Sequence, residues 1–156
     1  MLSNEAQELS EILVTNGLTI SVAESCTGGS LSHAITSIPG ASSYFDCGYI
    51  TYSNQSKTEM LGVDIQAIKT YGAVSEEVAL EMVIGVTDKS HSDVAVSITG
   101  VAGPTGGTPE KPVGMVCFGF SYDGNRSTST ELFSGDRVSF VFQSVSYALR
   151  QLFLRF

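Results

Sequence analysis

The chain carries four lysines and four arginines among 156 residues, so each cation that falls near candidate nucleophiles is informative. Lys57 closes the segment Tyr52-Ser53-Asn54-Gln55-Ser56-Lys57, and Ser25, Ser42, Ser43 and Ser53 all belong to turns or strand ends around it. A lysine in a desolvated pocket can shed its proton and then take one from a serine hydroxyl, which makes a Ser-Lys pair a feasible acyl-transfer device. Lowering a lysine from ~10.4 to ~7.5 asks for roughly 4 kcal/mol from the surroundings, within reach of burial. The spacing does not choose among the four serines. SxxK is absent, because Asn54 stands three residues before Lys57, and this argues against a penicillin-binding type of site. His33 and His91 lie beside no GxSxG elbow, which disfavours a histidine triad.

Two further segments have the composition of anion sites. Gly100-Val101-Ala102-Gly103-Pro104-Thr105-Gly106-Gly107-Thr108-Pro109 is rich in glycine yet spells neither GxGxxG nor a Walker loop, and its prolines prevent the immediate helix of a dinucleotide-binding turn. Glycines there still let backbone N–H groups approach an anion, although most such loops are plain turns. Ser134-Gly135-Asp136-Arg137 precedes an apolar helical repeat and so sets an arginine at a positive helix terminus, suited to phosphate or carboxylate. The alternative is a cap by Ser134 or Asp136 with Arg137 as a solvated charge.

These residues need elements to hold them. Leu2, Ala6, Leu9, Ile12 and Leu13 predict a first helix ending at Gly17, and Leu18, Ile20 and Val22 alternate as a strand leading into Glu24–Gly29. A helix through Leu31, Ala34, Ile35 and Ile38 stops at Pro39-Gly40. Gly48–Tyr52 reads as a second strand, Ser53 and Asn54 as caps of a short helix bearing Lys57 in its first turn, and Ile65–Tyr71 as another. Ser75 begins a longer helix whose buried face is Val78, Ala79, Met82, Val83 and Val86, and Val94, Val96 and Ile98 form a strand ending at Thr99. Strands over 113–122 and 126–133 flank the hairpin signal Asp123-Gly124-Asn125, and a closing helix follows. The order implies an α/β fold: a three-layer α/β/α sandwich on a mixed, largely parallel sheet with a C-terminal hairpin, one domain over 1–156.

Composition removes several classes of function. A formal charge of −8 without a basic stripe disfavours nucleic acid as a partner. No apolar run approaches the ~20 residues of a membrane helix, and Met1–Glu5 has no export character, so a cytoplasmic protein without a membrane partner is expected. Cys26, Cys47 and Cys117 are isolated and fit no metal spacing, so neither metal nor cofactor is expected. Phe and Tyr content with modest charge, and the crowding of Leu152, Phe153, Leu154 and Phe156, are compatible with a homodimer.

Taken together and in order, Ala23-Glu24-Ser25-Cys26-Thr27-Gly28-Gly29, Tyr52–Lys57, Gly72-Ala73-Val74-Ser75, Thr99–Pro104 and Ser134–Arg137 resemble the CinA C-terminal domain family over nearly the whole chain. Larger CinA proteins add an N-terminal domain of the molybdopterin-binding type, and the likeness here is to the short form. The resemblance implies a small nucleotide substrate and hydrolysis of the carboxamide of nicotinamide mononucleotide to nicotinic acid mononucleotide and ammonia. It also implies roles: Ser42 as nucleophile, Lys57 as general base, Tyr52 and Thr99 as orienting groups, Ser25 near the carboxamide and Arg137 on the phosphate. Gly28, Gly29, Gly100 and Gly103 join the substrate-binding set on the same ground. The rival expectation is an inactive nucleotide-binding or competence-associated module that keeps the pocket without the reaction.

Overall fold

A computed structural model of the protein describes residues 2–156; Met1 and the side chains of Leu2 and Ser3 lie outside it, and with them the first position of the expected apolar face of helix one. In chain order the elements are α1 Leu2–Asn16, β1 Ile20–Glu24, α2 Ser30–Thr36, a single 3-10 turn Ala41–Ser43, β2 Phe45–Ile50, α3 Asn54–Leu61, α4 Ile65–Tyr71, α5 Glu76–Ser90, β3 Val94–Gly100, β4 Met115–Tyr122, β5 Asn125–Leu132 and α6 Arg137–Phe153. Strand order is β2-β1-β3-β4-β5. The β2-β1-β3 half is parallel, and the β3-β4-β5 half is antiparallel.

Alternation along the strands divides the interior into two layers with different side-chain sizes. Ile20, Val22, Val94, Val96, Ile98, Phe118 and Phe120 pack against α1, α2 and α6. The intervening positions Ala23 and Ala95 meet α5, and Ser97 and Gly119 share that face. Small residues are needed there because α5 lies almost on the sheet: a Cβ at Gly119 would stand 2.5 Å from the Ala79 carbonyl oxygen, to which Ser97 Oγ donates at 2.6 Å. Helix α3 sits on α5 by the same device, since a Cβ at Gly85 would collide with the Leu61 carbonyl. Lys57 is therefore carried on a helix whose height above the sheet is set by glycine.

The hairpin turn is tighter than the three-residue signal, with Asp123 and Gly124 both at positive φ (49° and 74°) and Asn125 already in β5. The second strand differs more. It runs over Phe45–Ile50 rather than Gly48–Tyr52, pairing Phe45 with Ile20 and Ile50 with Glu24. As an edge strand it only half-buries alternate residues, so Asp46 and Gly48 mask the strand signal that a doubly covered strand such as β1 displays. The earlier start leaves Ser42 and Ser43 directly before the strand, at the end of the sheet where Phe45 pairs with Ile20.

Candidate functional site

The connections after β1 and β2 leave toward opposite faces, β1 to α2 in the layer of α1 and α6, β2 to α3 in the layer of α5. Such a switch opens a crevice beyond the carboxyl ends of the strands, where open α/β sheets bind their ligands. Here the crevice is a cleft of about 290 Å³ whose walls include Ser25, Lys57, Ala73, Thr99, Gly103 and Arg137.

At its floor lies a lysine that is almost wholly removed from solvent. Ser53 caps α3 by accepting from the Ser56 N–H at 3.1 Å, which fixes Lys57 in the first turn as the sequence predicts. The Lys57 side chain is 1% exposed. Its Nζ donates to Ser25 Oγ at 2.9 Å, to the Thr51 carbonyl at 2.8 Å and to the Tyr52 carbonyl at 3.4 Å. Burial pulls its pKa from the ordinary lysine range down to about 8. The contact set suits either protonation state. A neutral amine has two N–H groups and one lone pair; with the two carbonyls taking the N–H groups, the lone pair faces the Ser25 hydroxyl.

Ser25 is held as firmly as the lysine. Its N–H donates to the Ile98 carbonyl at 3.0 Å, continuing the β1–β3 ladder by one residue, and its side chain is buried. The turn that follows is built around Glu24, a fully buried carboxylate that sequence reasoning passed over. Glu24 accepts from Thr27 Oγ1 (2.7 Å), the N–H groups of Gly29 (3.1 Å), Leu31 (3.0 Å) and Ser32 (2.7 Å), and Ser32 Oγ (2.7 Å). An acidic residue closing an apolar strand, followed at once by Ser, Thr and Gly donors, was the available signal. The N–H groups of Cys26 and Thr27 make no hydrogen bond within the chain among the described residues.

Other expected residues distribute unevenly. Thr99 lines the cleft, but its hydroxyl donates to the Ala73 carbonyl at 2.9 Å, so it holds a wall. Tyr52 stands 57% exposed at the mouth, and its hydroxyl accepts from Arg137 Nη1 at 3.2 Å. Arg137 Nε donates to the Gly103 carbonyl at 3.0 Å, and Asp136, not Ser134, caps α6 by accepting from the Ser139 N–H. The guanidinium is thus both fixed and left with unused donors beside the cleft. Gly100 and Gly103 line the cleft as well. Asn54, which the sequence offered only as a cap, joins them there.

Three expectations require correction. Gly28 and Gly29 are not in the cleft; they border a larger apolar groove of about 590 Å³ between α2 and α6, shared with His33, Val138 and Phe142. Ser42 is not brought to Lys57. It belongs to the exposed 3-10 turn before β2, whereas the lysine ammonium reaches the carbonyls just after β2. A six-residue strand at ~3.3 Å per residue puts the two on the order of 20 Å apart. Ser53, also near Lys57 in sequence, spends its side-chain oxygen on the helix cap. The serine that meets Lys57 is Ser25. Cys26 shares the cleft wall, but burial pushes its thiol up to about 12, which keeps it protonated and unreactive at ordinary pH.

Fold and site together define a three-layer α/β/α protein with a buried serine–amine pair and an arginine at the rim of one cleft. Comparison with known proteins then fixes the relationship: the CinA C-terminal domain family matches residues 3–155, and the chain belongs to that family. The nicotinamide-nucleotide amidohydrolase PncC of Escherichia coli (strain K12) is 45% identical over 161 residues, covering 100% of this chain and 98% of that protein. The protein of the same name from Enterobacter agglomerans is 48% identical over 144 residues, covering 92% and 88%. A solved competence-damaged protein (CinA) superfamily structure from Escherichia coli superposes with a TM-score of 0.97 at 35% identity, covering 100% of this chain and 91% of its own.

Proposed function

We propose that the protein hydrolyses the carboxamide of nicotinamide mononucleotide to nicotinic acid mononucleotide and ammonia, with Ser25 as nucleophile and Lys57 as its base. The observation that carries this reading is the 2.9 Å contact between Ser25 Oγ and a lysine ammonium excluded from water. The names of the relatives supply the substrate; the cleft supplies the groups to act on it.

The neutral Lys57 amine takes the Ser25 proton as Oγ bonds to the carboxamide carbon. The carbonyl π pair moves onto oxygen, and the N–H groups of Cys26 and Thr27, next to Ser25 and without a partner among the described residues, are the donors at hand for that oxyanion. Lys57, now an ammonium, returns the proton to the amide nitrogen, and collapse breaks the C–N bond and releases ammonia. The resulting ester on Ser25 is opened by water, whose proton passes through Lys57 to the departing serine oxygen. Arg137, pinned by the Gly103 carbonyl and Tyr52, meets the substrate phosphate with its remaining N–H groups, and the exposed Tyr52 ring is available to the pyridinium.

Ammonia release from nicotinamide mononucleotide, followed without added metal, tests the reading. Turnover is expected in the wild type and is lost in Ser25→Ala. An inert wild type, with bound but unconverted substrate, would leave the non-catalytic nucleotide module as the better account.

A further inference from the structure

Two walls of the cleft come from segments far apart in sequence, and both are tied at a point outside the cleft. One wall is the loop 101–106. Its longer parent loop is closed at the base by Val101 N–H to the Met115 carbonyl (2.9 Å) and Gly114 N–H to the Val101 carbonyl (2.8 Å). Its far end is a tight turn in which Thr108 N–H donates to the Lys111 carbonyl at 2.9 Å and Lys111 N–H donates to Thr108 Oγ1 at 3.0 Å. The opposite wall is Ala73 and Val74, in the connection between α4 and α5.

The turn aims the Lys111 side chain across this gap. Its Nζ donates to the carbonyls of Tyr71 and Val74. Between them the Ala73 carbonyl accepts from Thr99 Oγ1, so the segment hangs from two donors, one on β3 and one on the loop after it. Gly72 makes room: it has φ +81°, and a Cβ there would stand 3.0 Å from the Lys111 Nζ. The Tyr71 carbonyl ends α4 and faces outward from a helix C-terminus, where an ammonium is electrostatically favoured.

We infer that Lys111 is a positioning residue for the cleft: by strapping the loop after β3 to the α4–α5 connection, it sets the separation of the Gly103–Arg137 side from the Ala73–Val74 side and so holds the nucleotide site open at the width its ligand needs. The strap rests, for its substrate, on the amidase reading. It leaves the Ser25–Lys57 pair untouched, because Lys111 is not among the residues lining the cleft. Losing the strap therefore weakens binding more than chemistry, as expected where rigidity of a site rather than a reacting group is removed.

The test compares wild type, Lys111→Met and Lys111→Arg by steady-state kinetics on nicotinamide mononucleotide and by amide hydrogen exchange without ligand. Lys111→Met should raise KM about tenfold with kcat within roughly threefold of wild type, the signature of lost binding rather than lost transition-state contacts. Its pH profile should be that of wild type, and Lys111→Arg, which can donate to both carbonyls, should recover most of the affinity. In the free protein, exchange at Gly72 and Val78, whose N–H groups flank the strapped segment, should quicken in Lys111→Met while the β3 amides keep their protection. An unchanged KM, a loss confined to kcat, or a displaced pH profile overturns the strap. So does unchanged exchange at Gly72 and Val78, and that measurement decides the matter even if the wild type proves inert toward this substrate.

Discussion

The two ends of the parallel half-sheet are both furnished with hydroxyls, and only one end arms them. At the amino end Ser21 Oγ lies 2.6 Å from Ser92 Oγ, the Thr19 hydroxyl donates to Asp93 at 3.0 Å, and Ser42 and Ser43 stand on an exposed turn. The partners there are hydroxyls and carboxylates, which stabilise the neutral alcohol. At the carboxyl end a single serine faces a buried amine that two carbonyls have already oriented. Accessibility does not make a nucleophile; a desolvated base at hydrogen-bond distance does.

The strongest way to break this contrast is to remove a hydroxyl from each end. Ser25→Ala and Lys57→Met should each lower amidase turnover by about a thousandfold or more, while Ser42→Ala keeps wild-type kinetics. Ammonia release from the three variants decides between the ends, and an inactive Ser42→Ala would reverse the assignment. Next in size, Arg137→Ala should raise KM by roughly ten- to a hundredfold with a smaller change in kcat, since a charge-assisted pair with the phosphate is lost. An unchanged KM would return Arg137 to the solvent.

The base sharpens the contrast through pH. Lys57 works as an acceptor only when neutral, so kcat/KM should fall about tenfold per unit below a pKa near 8 and level off above it. Stability carries the opposite face of the same burial. The unfolded lysine titrates near ~10.4, so between about 8 and that value the unfolded chain binds more protons, and stability should rise with pH across this window. Denaturant melts of the wild type should show that rise, and Lys57→Met should flatten it. Smaller still, Gly85→Ala pushes α3 off α5 and should cost about 1–3 kcal/mol with a partial loss of activity, because α3 carries Lys57. Iodoacetamide at neutral pH should leave turnover intact, since the Cys26 thiol stays protonated.

Much of this was legible in the residues. Periodicity located the helices, Ser53 and Ser75 announced their caps, and Asp123-Gly124 announced the hairpin, because these depend on contacts within a few positions. The choice among serines was not local. Ser42 and Ser53 are nearer to Lys57 in sequence than Ser25, which is 32 residues away, and only the parallel pairing of β1 with β2, which sets Glu24 beside Ile50, brings the turn after β1 to the amine. The resemblance to a family implied a nucleophile at Ser42, a position that leads into β2 at the end of the sheet away from Lys57. Lys111 was equally invisible, since its partners are backbone oxygens about forty residues earlier, and carbonyls have no sequence signature.

One consequence follows from the shell around Glu24. Every neighbour that touches its oxygens is an N–H or O–H, so all of them point protons inward. An amide of identical shape would turn an NH₂ group toward that ring of protons, and Asp would be a methylene too short to reach them. The position is consequently intolerant of its two mildest substitutions, and a protein-engineering scan of this loop would find the residue beside Ser25 harder to replace than much of the cleft wall.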